Sequence, residues 1–484
     1  MGDNPLDLTS GFAKFLASAQ ARSATGQVST EALLSVMDPP FVAFLENLAV
    51  PHWFNQEICQ ASAACSSGNY TMEAAVELSF VRPHPRGYTF HEVTRGALRN
   101  RLAREDRKRL KEISGRVGAL FPADPAPQDE DLAFERAYLL VTYDEKDGFE
   151  YFDRLYMNAS QSRRYSACNT LLGMISEEEP LLSPDGVRRI QGYRALSALN
   201  LRDFDLAERL FSELYRLDLP DRFAARVALG LGVTLESKGQ LEGAARVYES
   251  GIARLRNLAQ PLGVEWRLHN RAAIVLIRLG NIAKAEKHAE LSLTLSKNAA
   301  DLPGQAMSLE TMGQLYDKMR DLSRAREAFQ QSLGLFEGAG LEFEKSRVYL
   351  SLAALEESVG RWDAAEKWYE MARETKAAVG DDYGVAVVDA NLGNLCLRRN
   401  DPLASFAFFR NSLDTFRRFR DGLRSSQVLY SMAIACERSN QIADGIGYLR
   451  SGIAEVPERD PLRKQLQSEL QRLSKLLDSN TKVN

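Results

Sequence analysis

Five histidines (His52, His84, His91, His269, His288) and five cysteines (Cys59, Cys65, Cys168, Cys396, Cys436) are the side chains of this 484-residue sequence suited to acid–base, nucleophilic or metal chemistry. None stands in the setting such chemistry needs. There is no G-x-S-x-G, HExxH or paired CxxC, and C-x5-C with H-x6-H is a poor spacing for a structural zinc. No catalytic residue, metal or cofactor is expected, and the chain reads as a non-enzyme. Recognition chemistry has better material. Arg189, Arg226, Arg267 and Arg347 recur at intervals near 40 or twice that, and Tyr193, Asn270, Arg271, Arg278, Gln314, Asn391, Asn394, Arg398 and Tyr430 fall at related phases. Arginine forks onto carboxylates and asparagine both donates and accepts, so such a row suits the acids and main chain of a peptide.

A row of that period needs a scaffold of that period. Helix turns of one form recur: RDFDLAERLF, GQLEGAARVY, GNIAKAEKHA, RDLSRAREAF and GRWDAAEKWY. They align on a small residue at Ala167, Ala207, Ala244, Ala285, Ala325, Ala365, Ser405 and Gly445, with steps of 37 to 41 residues. A register held over that many steps is a solenoid array. Twelve positions before nearly every anchor stands a second small residue (Ala195, Gly232, Ala273, Gly313, Ala353, Gly393, Ala433), which lets the two helices of a pair approach closely. Four positions after most anchors comes a large apolar residue, such as Phe211, Tyr248 or Phe329, expected to fill the groove against the next repeat; Ala289 is the exception. Cys396 and Cys436 occupy equivalent repeat positions and read as core. The first helices of stacked pairs line a concave groove, and the Arg and Asn row falls on them.

These residues resemble the tetratricopeptide repeat (TPR), over roughly residues 145 to 457, with a unit nearer 40 residues than the usual 34. The resemblance implies an all-α, TPR-like α-solenoid superhelix that binds a protein or peptide. Some TPR proteins clamp a peptide's terminal carboxylate with Lys and Asn. Arg267 with Asn270, and Asn391 with Asn394, match that clamp in part, and no lysine completes it. The mixed inner face favours a polar or acidic segment.

Upstream, PPFVAFLENLAV, FNQEICQASAACS and NYTMEAAVELSF read as three short helices, and FVRPHPRGYTFHE as a hairpin around a Pro-Arg-Gly turn. Three helices and one β-hairpin describe a small winged-helix domain. The stretch from about 38 to 103 resembles the winged helix of STAND-type signalling ATPases, in which a His of an apolar-His-acidic triplet touches the nucleotide. Phe90-His91-Glu92 matches it, making His91 a vestigial nucleotide contact; a core histidine is the competing reading. No GxxxxGK[ST] is present, and some 37 residues precede the winged helix, so the expectation is that the ATPase is lost, sits on a second chain, or belongs to a longer protein.

The exit helix expected over 93–121 carries nine basic and three acidic residues, leaving −10 for the rest of a chain whose net charge is −4. A solvated face, docking on the acidic remainder, is the expectation. The third helix has no Lys or Arg and carries Glu73 and Glu77, which disfavours a nucleic-acid partner. The organisation expected is a helical segment 1–37, the winged helix and exit helix 38–121, a Pro-rich linker 122–131, about eight repeat pairs 132–457, and a capping helix with disordered tail 458–484. No apolar run spans a membrane, and scattered cysteines point to a reducing, cytoplasmic setting. The function expected is a sensor or adaptor that binds a protein or peptide partner, with an effector enzyme on a second polypeptide in bacterial signalling or defence. A DNA-binding transcriptional regulator, with the array as ligand sensor, is the alternative.

Overall fold

The computed structural model describes residues 34, 37–63, 70–124, 129–162, 164–255, 264–458 and 460–483. The expected helical segment over 1–37 lies almost wholly outside them, as does Cys65. No helix among the described residues is long and apolar enough to cross a membrane. The chain divides into two compact units, Met1–Leu217 and Asp218–Asn484.

Unit 1 begins with α1 (Pro39–Leu48), α2 (Gln56–Ala63) and α3 (Met72–Val76), then β1 (Val81–His84) and β2 (Gly87–Phe90). Two prolines start α1, where their fixed φ suits the first helical turn. The strands pair antiparallel, Val81 with Phe90 and His84 with Gly87. Gly87 is required there: its φ is +141°, and a Cβ would sit 2.3 Å from the Phe54 carbonyl oxygen. The exit segment is not one helix. It breaks at Asp106 (φ −147°, ψ 73°) into α4 (Glu92–Glu105) and α5 (Arg107–Gly118), and the Asp106 carboxylate caps α5 by accepting from the Arg109 amide at 2.9 Å.

Next come α6 (Glu130–Tyr143), α7 (Glu145–Gln161), α8 (Tyr165–Ser176), a short 3₁₀ turn (Glu179–Leu181), α9 (Pro184–Asn200) and α10 (Phe204–Tyr215). The linker over 122–131, part of which lies outside the described residues, is not a domain boundary. One apolar core runs from Leu34 to Tyr193, and Trp53 meets Phe121 edge to face across it. The acidic residues of the linker dock instead of spacing: Arg86 of the hairpin turn bonds Asp129 and Asp131. Helices α5 and α6 on either side of the segment pack directly on each other. The first repeat departs from register as well. Ala167 is half-buried whereas its neighbour Cys168 is fully buried, so α7 and α8 do not cross on the small residue.

Unit 2 holds six regular pairs: α11 (Asp221–Ser237) with α12 (Leu241–Leu255), α13 (Glu265–Arg278) with α14 (Ile282–Asn298), α15 (Leu302–Lys318) with α16 (Leu322–Gly338), α17 (Glu342–Ser358) with α18 (Trp362–Ala378), α19 (Asp382–Arg398) with α20 (Pro402–Arg418), and α21 (Gly422–Arg438) with α22 (Ile442–Glu455). The long repeat comes from helix length. From α14 to α21 every helix is 17 residues and starts 20 after the last. A residue in left-handed conformation ends each of these turns: Gly280, Ala300, Arg320, Gly340, Gly360, Gly380, Asn400, Arg420 and Asn440. Asp301, Asp321, Asp381, Asp401 and Asp421 then cap the following helix.

The aromatic four residues after the anchor shares a core with the first helix of the next repeat, Phe329 with Val348 and Leu352 and Phe409 with Val428 and Leu429, and it also packs within its own pair. Its ring lies on the small residue of its own pair: a Cβ on Gly313 would meet Phe329 at 2.5 Å, and one on Gly393 would meet Phe409 at 2.5 Å. Where Ala289 replaces it, His269 and His288 meet across the pair, Nδ1 to Nδ1 at 3.0 Å. The last helix, α23 (Pro461–Val483), seats Leu466 and Leu473 in a core with Ile446 and Leu449. It continues through 479–483, where a disordered tail was expected, because no Gly or Pro interrupts a helix already nucleated.

Candidate functional site

Helices α11, α13, α15 and α17 touch in succession, as do α19 and α21, so the first helices of the pairs form one face of unit 2. The row read from the sequence falls on that face, and the structure sorts it into two classes. Most of its arginines are already paired with carboxylates of the preceding repeat. Arg271 and Arg278 reach Glu236 at 3.7 and 3.6 Å, Arg347 donates to Glu310 at 2.8 Å, and Arg398 pairs with Glu357 at 2.7 Å. Glu310 is 2% exposed and also draws Gln314 at 3.5 Å. Two of these acids accept from the ring of their own pair: Tyr248 donates to Glu236 at 3.3 Å and Tyr369 to Glu357 at 2.8 Å. Burial pushes both phenols well above the usual tyrosine range, so they stay donors.

The second class lies on α13. Arg267 and Asn270 are one turn apart and share a face of the helix. Asn270 is 1% exposed, and its Oδ1 has no hydrogen-bond partner among the described residues. The Arg267 Nε is likewise buried without one. Its guanidinium lies 5.2 Å from the Trp266 ring. Burial lowers the Arg267 pKa; Asp301 works against that shift, and Arg226, another residue of the row, adds to it. Asp301 is largely committed, accepting from the Trp266 indole at 3.0 Å and capping α15 through the Gly304 amide at 2.8 Å. Since arginine does not deprotonate in proteins, the outcome is a cation and an acceptor, half-assembled, short of an anionic and a donating partner.

On α19, Asn391 and Asn394 are half-buried. Tyr430 packs beside the core of the last pair. Two residues of the row belong to unit 1 and are occupied there. Tyr193 is 6% exposed and donates to Asp153, and the half-buried Arg189 stacks over Phe149 at 5.3 Å. His91 is exposed at the start of α4, its amide bonded to the Phe80 carbonyl at 2.8 Å, and is therefore not a core histidine.

Counting back from the anchors also brings Glu310 into the row, but it passes over Glu236 and Glu357. Both stand eight positions before their anchors, next to the position seven before that carries Arg278 and Arg398, and that recurrence is the signal that could have found them.

Residues 267–338, and with a second model 194–259 and 311–381, match family models described as tetratricopeptide repeat; residues 30–110 match the MalT winged helix domain. Neither is a catalytic family. No curated protein sequence matches the chain. Among solved structures, a STAND protein (signal transduction ATPase with numerous domains) with a tetratricopeptide repeat sensor, from Pyrococcus horikoshii, is similar at 13% identity and a TM-score of 0.54, covering 95% of this chain and 69% of that one. A Rap protein complexed with Competence and Sporulation Factor is similar at 12% identity and a TM-score of 0.53, covering 77% of this chain and 97% of that one. The chain thus carries tetratricopeptide repeats behind a MalT-type winged helix.

Proposed function

We propose that this chain of tetratricopeptide repeats and a MalT-type winged helix is a non-catalytic regulatory adaptor that binds an acidic peptide or protein segment on the first-helix face of unit 2. The observation that carries the reading is the pair of buried, unpartnered polar atoms on α13, the Arg267 Nε and the Asn270 Oδ1. A carboxylate of the partner would complete Arg267, and a main-chain N–H one residue away would complete Asn270. The paired arginines set the rest of the preference. An acidic segment can take Arg271, Arg278 or Arg398 over from their glutamates, whereas a basic one would have to displace them. A Rap protein of similar fold has been solved complexed with Competence and Sporulation Factor, which supports a regulator of this kind.

The winged helix would relay the binding event to an effector on a second polypeptide. The DNA-binding alternative loses ground because Arg95, Arg99, Arg101 and Arg109 of the basic exit segment are engaged by carboxylates within unit 1.

Screening the full chain against arrays of acidic, neutral and basic peptides tests the reading. Acidic peptides should be selected, and Arg267→Glu with Asn270→Ala should weaken them at least about tenfold, equivalent to roughly 1.4 kcal/mol. Selection of basic peptides, or unchanged affinity in that double variant, would refute it.

A further inference from the structure

Unit 1 holds a charged junction between its winged helix and the helices that follow, in which Arg95, Arg99, Glu135 and Glu178 are buried, His52 is half-buried and Glu177 is exposed. His52, in the segment between α1 and α2, lies between two carboxylates. Its Nδ1 is 3.0 Å from Glu135 of α6, and its Nε2 is 3.3 Å from Glu177, just past α8. Its backbone amide also donates to Glu135, at 2.9 Å. From α4, Arg95 donates to Glu177 at 2.8 Å, to the Tyr138 hydroxyl at 2.8 Å and to the Pro51 carbonyl at 3.1 Å. Arg99 pairs with Glu178, which is 0% exposed and also accepts from Thr142 at 2.7 Å. The Tyr138 ring lies under both guanidiniums, at 5.5 and 5.4 Å. From β2 the Thr89 hydroxyl donates to the His52 carbonyl at 2.7 Å.

Both imidazole nitrogens therefore face carboxylate oxygens, which only accept. A neutral imidazole has one N–H and would set a lone pair against one of the two acids; the imidazolium satisfies both. With His52 charged, three cations meet three carboxylates. We propose that His52 is a proton-operated pin of this junction: protonated, it fastens the winged helix to α6 and to the end of α8, and deprotonated it leaves three carboxylates facing two guanidiniums and loosens that attachment.

The electrostatics run the same way. Burial opposes the charged imidazole, but the Glu135 charge and the hydrogen bonds to Glu135 and Glu177 outweigh it and raise the His52 pKa. Burial likewise opposes the Glu177 carboxylate, yet His52 and Arg95 bring its pKa down to about 2, so that acid stays charged throughout. A raised histidine stabilises the fold fully below its unfolded value, about 6.5, and that stability is lost as pH rises through the higher folded value. The pin is in place at mildly acid pH and withdrawn on the alkaline side.

Hydrogen exchange of the full chain at pH 6 and pH 9, corrected for intrinsic rates, reads the junction through the amides of α4 and α6, while NMR of the His52 imidazole reads its proton. The wild type should lose about tenfold protection at the higher pH, with the imidazole titrating above 6.5. His52→Gln should show the low protection at both pH values. His52→Gln with Glu177→Gln, which restores two carboxylates to two guanidiniums, should regain it at both. If the His52 variants do not fold, Glu177→Gln alone must lose the alkaline decline. An imidazole titrating below 6.5, wild-type protection independent of pH, or a Glu177→Gln chain that still loosens as pH rises would each overturn the proposal.

Discussion

The junction of unit 1 and the repeat pairs of unit 2 join helices of similar length by opposite means. In unit 1, α4 meets α6 and α8 through buried charge: Arg95 and Arg99 are 6% and 4% exposed, and Glu135 and Glu178 are 1% and 0%. In unit 2 the crossings at Gly313 under Phe329 and at Gly393 under Phe409 rest on ring against small residue, and Arg347 and Arg398 lie on the first-helix face. The difference teaches where each unit can change. A small-residue crossing depends only on shape and is indifferent to pH or salt, so it suits a scaffold. A buried charge cluster is stable only while complete, because a lone partner left behind carries a large desolvation cost.

That contrast breaks most sharply at Arg99. Arg99→Met leaves Glu178 buried and unpaired and should destabilise unit 1 by about 3–5 kcal/mol. Adding Glu178→Leu should recover most of that loss. Urea unfolding followed by hydrogen exchange in each unit checks it, and the amides of unit 2 should be unaffected.

A smaller effect sharpens the other side. Gly313→Ala places a methyl 2.5 Å from the Phe329 ring and should cost about 1–3 kcal/mol, with no pH dependence between 6 and 9. A pH-dependent loss would mean that this crossing is not a matter of shape alone. Smallest is Asp321→Ala, which removes the cap at the Arg324 amide and should show as faster exchange confined to the first turn of α16.

Much of this was legible in the chain. The anchors from Ala207 to Gly445, all of them buried, and the small residues twelve before them placed every regular pair. The hairpin and the three short helices ahead of it were likewise readable from their turn residues. At the ends of the array the reading failed for identifiable reasons. Ala167 looked like an anchor but Cys168 takes its place, and the Pro-rich acidic linker looked like a boundary but Arg86 gathers its aspartates onto the hairpin. The candidate row was found as a row, yet its sorting into paired arginines and the unpartnered Arg267 and Asn270 was not.

The sequence by itself determined the period, the all-α solenoid and the face on which the arginines stand, because helical phase is a local property fixed by spacing along the chain. Only the tertiary structure decided which charges are engaged. Arg347 meets Glu310 across 37 residues, Arg99 meets Glu178 across 79, and His52 meets Glu177 across 125. Which of these carboxylates meets which cation depends on how the helices stack, and outside the recurring Glu236–Arg278 and Glu357–Arg398 pairs no repeat in the sequence encodes it.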